Sequence, residues 1–188
     1  MKKEELTRYR DFYDVVMSCD LSSARSLLVA IMDKIIEITN SEIGILVLFE
    51  KGEIMIPVAR SRSGRSMNTI RKPFKLISRQ VLERAARERK LIITEDVLSD
   101  PNLEYTQSLK ELNIRSLMLA PLWHKRKMIG LVYVDRRASK TRYDAGAVKT
   151  FQNFSEDMGR LIYNTIEQER RKQRLEVLEQ SLELPGIV

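Results

Sequence analysis

The chain has 188 residues, 31% of them charged and 43% hydrophobic, a balance that fits one well-buried domain with helical extensions and excludes a disordered chain. No apolar run reaches the ~20 residues needed to span a bilayer, the N-terminus lacks a signal-peptide core, and a single cysteine, Cys19, excludes an internal disulfide, so a cytoplasmic protein is expected. The net charge of +7 is internal, with eleven Lys or Arg against two Glu over residues 60–90 and seven against Asp135 over 124–142. Such a field attracts anions, although a solvated surface is the simpler account.

Taken in chain order, Tyr9, Phe12, Tyr13 and Val16 recur with helical spacing and predict an amphipathic helix over 2–18. Asp20, Ser22 and Ser23 offer N-cap oxygens for a second helix to about Thr39, with Leu27, Leu28, Ile31, Ile35 and Ile38 on one face. Asn40 and Ser41 close it. Residues 43–49 (IGILVLF) are apolar throughout, as in a strand covered on both faces. A turn at 50–53 and a return strand over 54–59 complete a hairpin; Pro57 places that strand at an edge or a bulge. Residues 60–75 are polar, basic and pattern-free, and read as a loop. A helix over 77–89 buries Ile77, Val81, Leu82 and Ala85, with Ser78 as a candidate cap. A short strand at 91–94, a turn cluster at 96–101 and a short helix near 105–112 follow.

Residues 114–135 (IRSLMLAPLWHKRKMIGLVYVD) then read as two strands joined by a charged tip at His124, Lys125, Arg126 and Lys127. From Tyr143 one helix runs to about Leu182, with Leu161, Ile162, Ile166, Leu175, Leu178 and Leu182 as its apolar positions; the last three have coiled-coil spacing. The elements assemble into an α+β sandwich. Helices 2–18, 22–39 and the terminal helix cover one face of an antiparallel sheet, and the basic loop, helix 78–89 and segment 96–112 cover the other, leaving a cavity between sheet and loops.

The hairpin "IRS-L-APL…IGLVYVD" resembles the last hairpin of GAF domains, a family of small-molecule sensor modules. The stretches "IMDKIIEITNSEIGILVLF", "SRQVLERAARERKLIITEDVLSD" and "YDAGAVKTFQNFSEDMGRLIYNTIE" extend the resemblance over about residues 23–165. It implies a GAF core at 21–166, a packing helix at 1–20 and a signalling helix with the start of a linker at 167–188. The family's known chemistries lack their residues here. Cyclic-nucleotide binders carry an Asn-Lys…Phe…Asp-Glu signature where this chain has Arg136-Arg137…Tyr143-Asp144-Ala145. Bilin binders and sulfoxide-reducing members need thiols, and Cys19 lies outside the matched core. Haem binders need an axial histidine, but the one histidine, His124, sits at a hairpin tip and is expected in solvent. No ligand cluster with metal spacing and no phosphate-cradling Gly-rich loop is visible, so neither cofactor, metal nor enzymatic activity is expected.

What the resemblance leaves is a cavity without a named ligand. Arg60 and Arg115 could fork onto a carboxylate or phosphate, with Asp96, Tyr105, Ser116 and Tyr133 as further polar groups near it; a small anionic effector is the expectation. The terminal helices predict a homodimer that passes a change of register to an output domain. Residues 185–188 (PGIV) are similar to the opening of the AAA+ ATPase of sigma-54-dependent transcriptional activators, which makes the sequence read as a piece of such an activator. A diguanylate cyclase, phosphatase or histidine kinase output is the alternative. Two further classes are a ligand-free dimerisation module and a nucleic-acid-binding module on the 60–90 stripe. The stripe holds only Phe74 among aromatics and no DNA-reading motif, which makes direct nucleic-acid binding the weaker reading.

Overall fold

Apolar residues recur every three to four positions from Leu27 to Ile36, and that spacing places Leu27, Leu28, Ile31, Met32, Ile35 and Ile36 on one buried face of a helix. A computed structural model of the chain describes residues 24–50, 53–63, 77–101, 107–137 and 142–182. This helix is α1, Ala24–Thr39. It is followed by β1 (Ile43–Glu50), β2 (Glu53–Ser61), α2 (Arg79–Glu88), β3 (Ile92–Thr94), α3 (Gln107–Glu111), β4 (Ser116–His124), β5 (Lys127–Arg136) and α4 (Ala145–Leu182). The helix expected over 2–18, the caps Asp20, Ser22 and Ser23, and Cys19 lie outside the described residues.

Backbone chemistry sets the ends of the helices. Asn40 adopts a left-handed conformation (φ 51°), so that its N–H donates to the Glu37 carbonyl and that of Ser41 to the Ile36 carbonyl. These two bonds satisfy carbonyls that a helix C-terminus otherwise leaves open. Asn113 (φ 51°) closes α3 in the same way, through Lys110 and Leu109. Ser78 occupies the N-cap position of α2 with extended backbone, but its hydroxyl makes no capping bond, contrary to expectation.

The five strands form one antiparallel sheet in the order β2-β1-β5-β4-β3. Pro57 sits in edge strand β2, where the pairing shifts from Leu46↔Val58 to Leu48↔Met55; both of its tolerated settings, edge and bulge, are therefore met. β2 runs through Arg60 to Ser61, so the irregular segment begins later than the sequence implies.

Both faces of the sheet are covered. Met118, Ala120, Leu122, Val132 and Val134 face α1 and the first half of α4, which contributes Phe151, Phe154, Met158 and Ile162. Ile45, Val47, Leu117, Leu119, Leu131 and Tyr133 face the other way, against Val81, Leu82 and Ala85 of α2. Each large side chain fully buried contributes about 1.5–3 kcal/mol. That outweighs the helix-weakening Gly159, which costs about 1 kcal/mol relative to alanine in a helix interior.

Gly159 has a packing reason. A Cβ there would collide with the backbone carbonyl of Trp123 and lie 2.7 Å from its amide nitrogen. Helix α4 thus rests backbone to backbone on the end of β4. Gly159→Ala is expected to destabilise the protein by about 1–3 kcal/mol through overpacking, although alanine is the better helix former. A urea-denaturation midpoint that rises in this variant would contradict the close approach.

Candidate ligand-binding site

Because side chains alternate along a strand, β5 sends Val132 and Val134 to the helices and Leu131, Tyr133 and Asp135 to the opposite face. There the Tyr133 hydroxyl donates to Asp135 Oδ2 at 2.9 Å. Arg137, two residues on, donates Nε to Asp135 Oδ1 and Nη2 to Oδ2, both at 3.1 Å. The Arg137 amide donates to Glu42 Oε1 at 3.1 Å, and the Glu42 amide to the Asp135 carbonyl at 2.8 Å. The result is a polar cluster of Tyr133, Asp135, Arg137 and Glu42 set at one end of an apolar face.

Its electrostatics follow from burial. Asp135 is fully buried, and desolvation raises its pKa above the ordinary carboxylate value even though Arg137 and the Tyr133 hydroxyl pull it down. Desolvation, reinforced by the Asp135 charge, pushes Tyr133 well above the usual phenol range. Burial also works against the Arg137 charge, but Asp135 more than offsets it and holds the guanidinium above its ordinary value. The arrangement pairs the Asp135 carboxyl with the Arg137 guanidinium, and the Tyr133 phenol donates to it.

The residues expected to meet at a ligand do not all share this face. Arg60 is turned toward α1, where its Nε and Nη2 grip both oxygens of Asp33 at 2.7 and 2.8 Å. It is thus already forked onto a carboxylate of the chain itself, on the helical side of the sheet. Ser116 is buried on that same side, beside the phenol of Tyr143, whose pKa burial pushes up to about 12. Asp96 lies in the turn after β3, its Oδ1 accepting the Leu98 amide at 3.1 Å. Arg115 is half-buried just before β4, its amide donating to the Arg136 carbonyl and its carbonyl accepting from the Val97 amide. Tyr105 lies outside the described residues, as does most of the basic segment expected to cover the face. Sequence reasoning passed over Asp135 and Arg137, yet opposite charges two apart in an apolar strand share a face and were the available signal.

A GAF domain family model matches residues 22–162, three quarters of the chain. The chain belongs to the GAF domain family. Among solved structures it is similar to the GAF domain of an Acinetobacter phosphoenolpyruvate-protein phosphotransferase (10% identity, 90% of this chain and 99% of that one, TM-score 0.68). A Stigmatella aurantiaca phytochrome photosensory core is also similar (13%, 94% and 39%, TM-score 0.65), as is a domain of a putative Sinorhizobium meliloti sensor histidine kinase (18%, 76% and 92%, TM-score 0.52). At these identities the likeness is one of fold. Among curated proteins no relative matches.

One further side chain of this GAF domain departs from expectation. His124 is half-buried, not solvated; its ring stacks on Tyr163 at 4.0 Å because α4 passes over the hairpin tip. Ile162, one of the apolar positions of the terminal helix, is fully buried in the domain's own core, and Leu161 and Ile166 pack against that core. Among the described residues no three His, Cys, Asp or Glu side chains converge as metal ligands. Within the same residues no helix is long and apolar enough to cross a membrane.

Arg137→Met strands the buried Asp135 carboxylate and is expected to cost about 3 kcal/mol at neutral pH. The sign of its pH dependence follows from the pKa direction. A carboxyl whose folded pKa lies above its unfolded value binds the proton more tightly when folded, so stability falls as pH rises through that interval and returns on acidification. Urea denaturation at pH 5 and pH 8 should find the variant's deficit smaller at pH 5. A deficit independent of pH would refute the pairing.

Proposed function

We propose that this GAF domain is a regulatory sensor: a small effector held on the loop side of the sheet is read out through α4 in a homodimer. The observation that carries the reading is α4 itself. It is an unbroken 38-residue helix whose first half is anchored by the sheet and whose second half leaves Leu175, Val177 and Leu178 exposed to 59, 64 and 58%. Apolar side chains spaced 3 and 4 apart on an otherwise charged helix favour a second helix laid alongside. A second copy of the chain supplies the same stripe by two-fold symmetry. Leu182 continues the spacing in sequence, although its side chain is outside the described set.

On the effector side, Arg115 and the Arg137–Asp135 pair stand at one end of the loop-side face, the end where residues 115 and 136 are backbone partners. Their cations favour a small anion, and Asp96 and Tyr105 remain candidate contacts. The domain is proposed to regulate rather than catalyse, since its one imidazole is packed against a tyrosine ring. The proposed output is the AAA+ ATPase of a sigma-54-dependent activator in the cytoplasm, supported by the words at 185–188. A histidine kinase output is the second reading, favoured by the likeness to the Sinorhizobium domain.

Two measurements test this reading. Sedimentation velocity should find a dimer at tens of micromolar, and Leu175→Asp with Leu178→Asp should give a folded monomer. A wild-type chain that stays monomeric at high micromolar concentration contradicts the dimer. In a thermal-shift screen of carboxylates, nucleotides and phosphates, an effector should raise the melting temperature. Arg115→Ala should weaken its binding about tenfold, the worth of one hydrogen bond to a charged group; undiminished binding would remove Arg115 from the site.

A further inference from the structure

Away from the loop-side face, the tip of the β4–β5 hairpin and the middle of α4 enclose a groove of about 400 Å3. Leu48, Ile129 and Ile166 give it an apolar floor, and the stacked rings of His124 and Tyr163 form one wall. Lys125, Lys127 and Arg170 stand around it, with Glu167 the one carboxylate among the lining residues. Glu167 is engaged by Arg170 at 2.9 Å, and both side chains are about two-thirds buried. That pairing neutralises the carboxylate and holds the guanidinium in place. The two lysines are exposed, and no carboxylate among the described residues pairs with either.

We infer that this groove is a second ligand site of the domain, taking a small organic anion with a flat apolar body. The volume lies at the small end of the ~300–1,000 Å3 common for ligand sites, which limits the occupant to one or two rings. The apolar floor and ring wall reward a flat hydrocarbon body. The unpaired lysine charge selects an anionic head and draws it in at long range. A bare inorganic anion would leave the floor unused, and a neutral hydrocarbon would leave the lysines without a counter-charge. The site is distinct from the Tyr133–Asp135–Arg137 face: β5 contributes Lys127 and Ile129 here, and Asp135 stands at its far end. Because residues of the hairpin and of α4 both line the groove, an occupant touches the two and favours the seated helix.

Titration calorimetry of the whole chain with 2-naphthoate, 2-naphthyl phosphate and inorganic phosphate tests the inference. One-to-one binding of a naphthyl anion is expected, with inorganic phosphate at least tenfold weaker. The stronger of the two naphthyl ligands identifies the preferred head group. The double variant Lys125→Glu, Lys127→Glu should weaken naphthyl binding at least tenfold, with an unchanged melting temperature showing that it folds. Arg115→Ala, on the other face, should leave naphthyl binding within twofold of wild type. Absence of naphthyl binding, binding that survives the double charge reversal, phosphate binding as tight as the naphthyl ligands, or a loss confined to Arg115→Ala would each overturn the proposal. A loss confined to Arg115→Ala would place the naphthyl anion on the loop-side face instead, whereas the other outcomes leave the loop-side effector, whose screen is read through Arg115, untouched.

Discussion

Burial of β5 on both faces is the constraint on which the rest of this domain depends. Asp135, Arg136 and Arg137 are three consecutive charged residues at the end of a strand with no solvent side. Alternation resolves the conflict by sending the middle one to the helices and the outer two to the opposite face. Asp135 and Arg137 then pair with each other. Arg136, only 5% exposed, donates Nη2 to the Thr39 carbonyl at 2.6 Å, Nε to the Asn40 carbonyl at 3.0 Å and Nη1 to the Arg142 carbonyl at 3.2 Å. Its guanidinium lies 4.0 Å from the centre of the Tyr143 ring. A cation at a helix C-terminus meets the negative end of its dipole, so one side chain ties the end of α1, the end of β5 and the approach to α4. A residue at 136 without a donor there would strip the buried Thr39 carbonyl of this hydrogen bond.

Much of this fold was legible because its signals are local. The apolar runs of β1, β4 and β5, Pro57 in an edge strand and Asn40 as a terminator each act through covalent or steric preferences of the residue itself. The site was less legible because its geometry is set across the chain. The face that Arg60 takes is fixed by pairing beyond the bulge at Pro57 and by Asp33, 27 residues away on another element. His124 was assigned to water on the strength of its hairpin neighbours, but its environment is made by Tyr163 of a helix beginning twenty-one residues later. Gly159 carried the missing information: a glycine in the interior of a long helix costs stability unless a backbone approaches there, and one does.

Helix α4 shows the same limit in another form. Its apolar positions serve two faces. Phe151, Phe154, Met158 and Ile162 repeat at 3, 4 and 4, the stripe that follows the sheet. At 100° per residue Leu175 and Leu178 point well away from that stripe, and both are exposed. Apolarity alone does not say which surface a helix covers; the angle around the axis does.

Those two faces bear directly on how the proposed relay can work. Beyond residue 170 the described side chains of α4 are exposed and meet no part of the domain's core, so a ligand has nothing there to act on. Any difference in binding energy between two settings of α4 must therefore arise where the helix is seated. The seats are the Arg136–Tyr143 contact before its start, the Phe151–Ile162 stripe, the Gly159–Trp123 crossing and the His124–Tyr163 stack. The first adjoins Asp135 along β5, within reach of an effector on the loop side. The last lines the groove at the hairpin tip. The two proposed ligand sites thus bracket one helix near its beginning and middle, and the twelve residues beyond 170 extend about 18 Å as a rigid lever. A small tilt at the seats becomes a larger displacement at the far end, and a dimer partner aligned along Leu175 and Leu178 would register it as a change in packing.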